Sequence, residues 1–187
     1  MNYFSRISFS MKCFNKIDWN TINKILGGIN LVIGILLLIK TYYLTDRRIY
    51  YLSTLPKKGF IPNTTPSFAE LLLKDSIQLT IGILLVSSGL LIFLKRKLGW
   101  ILGYCGWLIS IVSLITFVLF RLKNDSIVKL EFNSWIQIMN TLIPFLSLIS
   151  ILLLSLKPVR EVNRISFKSW FLSLIFFSIL MLVLSVS

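Results

Sequence analysis

Five stretches of this chain stay apolar long enough to cross a bilayer, and the charged residues gather between them. A hydrocarbon core of about 30 Å needs ~20 helical residues. The runs at 24–44, 76–94, 99–120, 135–156 and 168–187 meet or approach that length. The pattern predicts an all-α integral membrane protein, one domain of 187 residues built as a bundle of five transmembrane helices. The first run starts near residue 25 and lacks an A-x-A-like end, so it reads as a retained span and not as a cleaved leader.

Between the spans the pattern changes. Ser67 with Glu70 three residues on makes a capping box just after Pro66, so the second helix is expected to start before residue 76. The outer connection, 45–75, contains Pro56, Gly59, Pro62 and Pro66, which rule out one continuous helix. Its first part, "RRIYYLSTL", is rich in strand formers, and "SIVKLEF" at 126–132 alternates with period two. These two pieces are candidates for a small hairpin-like cap. The basic segment 1–23 places Phe4, Ile7, Met11 and Phe14 at helical spacing, as in a short helix lying on a membrane surface; a plain tail is the alternative.

Composition agrees with the pattern. Hydrophobic residues make up 56% of the chain and charged ones only 14%, against about a quarter charged in soluble domains. Twenty Lys and Arg against seven Asp and Glu give a net charge of +13. In a soluble protein that excess would point to nucleic acid. Here the basic residues flank apolar runs, so they read as topology signals and as contacts for anionic lipid headgroups, with no nucleic-acid partner. An arrangement with the N-terminus cytoplasmic and the C-terminus outside places eleven basic and two acidic residues inside, nine and five outside. Trp19, Tyr42, Tyr43, Trp100, Trp135 and Trp170 fall at span ends, where amphipathic rings prefer to sit. The abundance of Ile, Lys, Asn, Phe and Ser suggests an AT-rich genome and a bacterial cytoplasmic membrane, the protein being a multi-pass plasma-membrane protein.

Within the spans, small residues mark where helices can approach closely. Gly99, Gly103, Gly106, Ser110 and Ser113 form one face of the third span, and Gly27, Asn30 and Gly34 follow the same rhythm on the first. Gly82 and Gly89 lie seven apart on the second. The third span is expected at the centre of the bundle, packed along its glycine face; a homodimer seam is the other use for such a stripe. Trp100, Tyr104 and Trp107 recur beside it and read as an aromatic belt facing lipid, or as a groove for a lipid headgroup or hydrophobic molecule.

The fourth span carries the most polar face: Asn133, Gln137, Asn140, Pro144 and Ser147, with Thr141 at its edge. Gln78 of the second span lies at a similar depth in the outer half, whereas Asn30 lies in the inner half and does not join them. Gln78, Gln137, Asn140 and Thr141 are therefore a candidate ligand site or a packing seam, with the seam favoured. Pro144 frees a backbone carbonyl near residue 140. Lys40 is expected to pair with Asp75 at the outer end.

Chemistry is sparse. The chain has no histidine and two cysteines, Cys13 and Cys105, placed too differently to form a disulfide. Zinc, haem and iron–sulfur sites lose their usual ligands. No Asp or Glu falls inside a span, which argues against catalysis in the membrane and against proton-coupled transport. No catalytic residue, metal or cofactor is expected. The expected role is a non-catalytic subunit or scaffold that docks a protein partner, a lipid or a second copy through its glycine seams. The alternatives are an outward-facing sensor or immunity-type binder of a hydrophobic or small ligand, and an oligomeric pore lined by the fourth span.

Overall fold

A computed structural model describes residues 18–54, 67–123 and 134–186. Among them every regular element is a helix: α1 (Trp19–Thr54), α2 (Phe68–Lys74), α3 (Ser76–Phe93), α4 (Lys97–Lys123), α5 (Ser134–Ser155), α6 (Lys157–Val162) and α7 (Phe167–Val186). Four of them, α1, α3, α4 and α7, are long and apolar enough to cross a membrane, and α5 contains the shorter apolar stretch Leu142–Ser155. The amphipathic reading of the N-terminal segment falls on 1–17, outside the described residues, as do the prolines at 56, 62 and 66 and the segment 126–132.

Helix starts follow local chemistry. The Asp18 carboxylate accepts from the Asn20 N–H at 3.0 Å and the Thr21 hydroxyl at 2.6 Å, capping α1. At α2 the capping box is present: the Ser67 N–H donates to Glu70 Oε2 at 2.9 Å, and the Glu70 N–H donates to Ser67 Oγ at 3.3 Å. The chain then breaks at Asp75, whose φ and ψ of −98° and 24° separate α2 from α3.

One expectation is overturned at the C-terminal end of α1. The strand formers of 47–54 are helical, and α1 runs 36 residues, about 54 Å at 1.5 Å per residue. Extending an existing helix needs no new nucleus, so a long apolar span carries weak helix formers with it. Arg48 anchors the extension through a salt bridge to Asp75 at 2.8 Å. The Ser53 and Thr54 hydroxyls donate to the Tyr50 and Tyr51 carbonyls, both at 2.7 Å, satisfying two acceptors near the end.

The turns at the other end share one construction. After α3, the Arg96 N–H donates to the Leu91 carbonyl and the Lys95 N–H to that of Ile92, both at 2.9 Å, with Lys95 at φ 51°. After α6, the Ile165 N–H donates to Arg160 at 2.8 Å and the Arg164 N–H to Glu161 at 2.9 Å, with Arg164 at φ 54°. Both are Schellman closures with a basic residue where glycine is usual.

In the bundle α3 lies between α1 and α4, α4 also packs on α5 and α7, and α6 folds against α1 and α5. The glycine seams are filled by the chain's own helices. A Cβ at Gly34 would lie 2.7 Å from the Val86 amide nitrogen and 2.9 Å from the Gly82 carbonyl; one at Gly89 would lie 2.7 Å from the Gly27 carbonyl. At Gly99 it would meet the Ile92 nitrogen at 2.5 Å. The α1, α3 and α4 backbones thus approach closely along these stripes, and the glycine faces are filled within the chain. The α4 stripe also divides: Gly99, Gly103 and Gly106 face α3, whereas Ser110 faces α5.

Candidate functional site

Among the described residues, three knots of buried polar side chains tie helices together, and the largest is centred on Asn30. Its amide is completely buried. The Asn30 Nδ2 donates to Ser88 Oγ at 2.8 Å, the Ser88 hydroxyl donates on to the Gly99 carbonyl at 2.7 Å, and the Trp107 indole N–H donates to Asn30 Oδ1 at 2.9 Å. The knot ties α1, α3 and α4 together. Gly103 makes room for it, since a Cβ there would stand 2.5 Å from Ser88 Oγ and 2.8 Å from Asn30 Nδ2. A donor or acceptor left unpaired in hydrocarbon costs several kcal/mol, so roughly matched pairing is what allows an asparagine here.

This arrangement corrects the belt reading of the aromatic stripe. Trp100 and Trp107 have no exposed surface and Tyr104 only 6%. The Trp100 N–H donates to the Leu154 carbonyl at 3.0 Å, joining α4 to α5, and its ring stacks on Tyr104 at 4.9 Å between centroids. The stripe faces inward because each indole N–H finds an acceptor there, and because large rings fill the space that the neighbouring glycines leave between backbones.

The second knot lies between α1 and the end of α6. Asn163 Nδ2 donates to Asn23 Oδ1 at 2.7 Å and to the Val159 carbonyl at 2.9 Å, and Asn23 Nδ2 returns to Asn163 Oδ1 at 3.4 Å. Both side chains are buried. The third knot joins α4 to α5: Ser110 Oγ and Ser147 Oγ are 3.0 Å apart, and Ser147 donates to the Ile143 carbonyl at 2.7 Å. Ser147 belongs to the polar face of the fourth span, and at this residue that face is a seam. Cys105 is buried too, its thiol donating to the Ser173 carbonyl of α7 at 3.2 Å.

Of the candidate pocket residues, Gln78 is half-buried in the first turns of α3. The side chains of Gln137, Asn140 and Thr141 lie outside the described residues. At the C-terminal end of α1 the salt bridge of Asp75 runs to Arg48; Lys40 is buried and near enough to Asp75 for their charges to interact. Asn23, Ser88 and Asn163 escaped the sequence reading as partners. Counting from the basic end of each span puts Asn30 six residues in from Lys24 and Ser88 seven from Lys95, so depth would have paired these two; Trp107, ten from Lys97, starts about a turn deeper. Matched against family models, curated proteins and solved structures, the chain has no match in any of the three.

Proposed function

We propose that this protein is a non-catalytic membrane subunit or scaffold, with five spans, a cytoplasmic N-terminus and an outer C-terminus, in a plasma membrane of bacterial type. Five crossings are supported by the ends of the helices. Trp100 at the start of α4 bonds Leu154 near the end of α5, so the chain that leaves along α4 returns along α5. The orientation is supported by charge: the contacts of Gly99 with Ile92 and of Asn23 with Asn163 gather Lys24, Lys95–Lys97 and the α6 basic residues at one end of the bundle.

The observation that carries the role is the state of α7. Only 6% of its apolar window is buried, against 39%, 39% and 56% for the other three membrane-length helices. It packs chiefly on α4, through one face that includes Trp170, Leu174, Phe177 and Met181. The glycine seams and the polar knots are occupied within the chain, so the docking surface for a partner helix is the exposed face of α7 at Leu172 and Ile179. A photoreactive residue at Leu172 or Ile179 is expected to give a discrete protein adduct in intact membranes, whereas one at Ile25 or Val32 on the exposed face of α1 gives none. Lipid adducts alone at all four positions would remove the proposal.

A further inference from the structure

The elbow between α6 and α7 holds two buried hydrogen-bond donors without an acceptor among the described residues, Arg160 Nε and Trp170 Nε1. The other buried indoles, Trp100 and Trp107, both have one. Asn163 is bonded to Asn23 and to the Val159 carbonyl, and Glu161, the single carboxylate of residues 157–168, faces Lys157 at 3.9 Å. Lys157, Arg160, Arg164 and Lys168 crowd the same segment, so it has both a surplus of donors and a surplus of positive charge. The Ile165 N–H returns to the Arg160 carbonyl at 2.8 Å, closing the turn that leads from Arg160 into α7. Both donor residues are partly exposed although these two atoms are covered, and binding requires each side chain to turn its N–H outward.

The complement of such a place is an anion that only accepts hydrogen bonds, and a phosphate diester is one. Beside the elbow Phe167, Phe171 and Ile175 are exposed along α7, an apolar track suited to acyl chains that leaves Leu172 and Ile179 to the proposed protein contact. We propose that the α6–α7 elbow is a binding site for a single anionic phospholipid, its phosphate held by the Arg160 and Trp170 N–H groups and its chains lying along α7. The site rests on the chain being membrane-embedded with its basic end in an anionic leaflet, not on the docking of a protein partner.

The test is native mass spectrometry of the full chain titrated with phosphatidylglycerol or phosphatidylcholine. One phosphatidylglycerol is expected to be retained about tenfold more tightly than phosphatidylcholine, the range of one or two charge-assisted hydrogen bonds. Trp170→Phe, which keeps a ring but removes the N–H, and Arg160→Gln are each expected to lower that affinity about five- to tenfold without shifting the melting temperature measured in lipid-free detergent. Arg96→Gln, at the other basic turn, is expected to change it less than about twofold. Equal retention of the two lipids, or equal loss with Arg96→Gln, overturns the site in favour of diffuse electrostatics. Displacement of the lipid by millimolar inorganic phosphate overturns the lipid as its natural occupant. Failure of the α7 crosslinks leaves this result standing, so the two proposals fail separately.

Discussion

The indole N–H of Trp107 donates to the side-chain oxygen of Asn30 at 2.9 Å, across 77 positions of sequence and between two helices that do not adjoin along the chain. Ser88 completes the pair from the helix between them. Trp107→Phe leaves Asn30 Oδ1 without its donor, and a cost of about 1–2 kcal/mol is expected from an interhelical hydrogen bond and its orphaned acceptor. Asn30→Ala is expected to cost more, because it orphans the indole and opens a cavity. The double variant Trp107→Phe with Asn30→Ala should lose less than the sum of the two single changes in reversible unfolding from mixed micelles. Strict additivity of the two single changes would show that the residues do not act together.

Glycines on one helix separate into two classes. Gly28 has only the tip of the Phe93 ring 4.0 Å from its would-be Cβ, whereas Gly34 meets backbone at 2.7 Å. Gly28→Ala is expected to be neutral or to stabilise by up to about 1 kcal/mol through helix propensity. Gly34→Ala is expected to lower stability by more than that gain, since neither backbone can yield. Gly103→Ala should be partly rescued by Ser88→Ala, which removes the oxygen that its new methyl would strike. Melting temperatures of the five proteins check all three statements.

The Asn23–Asn163 pair anchors the α6 elbow to the first span. Asn163→Ala removes the donor to Asn23 and to the Val159 carbonyl, and about 1–2 kcal/mol is the expected cost. Its local signature is faster hydrogen exchange over residues 157–165 with little change in α3. Unchanged protection in the elbow would mean that the α6 contacts with α1 and α5 suffice without the amides.

Orientation has a direct chemical readout. In a background lacking Cys13 and Cys105, Tyr50→Cys is expected to react with a membrane-impermeant maleimide added to intact cells, because Tyr50 is 70% exposed at the outer end of α1. Lys168→Cys should react only after permeabilisation. The opposite pattern would invert the bundle.

What the sequence disclosed and what it hid divide along physical lines. Apolar helices were legible because apolar length and basic flanks are local quantities: α5 and α7 each begin one residue before the apolar runs at 135 and 168. The capping box at Ser67 and Glu70 was legible for the same reason, all its atoms lying within four residues. Periodicity placed Trp100, Tyr104 and Trp107 on one face but could not say where that face points. That depends on acceptors supplied by Leu154 and Asn30 from other helices. The continuation of α1 through Tyr50 and Tyr51 was hidden because β-branched and aromatic residues favour strands only where a sheet receives them. Here the helix behind them and Asp75 beside them decide the matter.

The measurement that bears most directly on the proposed role is native mass spectrometry of the protein released gently from its own membrane. The expected result is a species heavier than the 21.6 kDa chain by a second protein or a further copy, reduced to the single chain when Leu172 and Ile179 are both changed to Trp to alter the exposed face of α7. A lone chain that carries one small molecule and no protein, unchanged by those substitutions, would contradict the subunit reading.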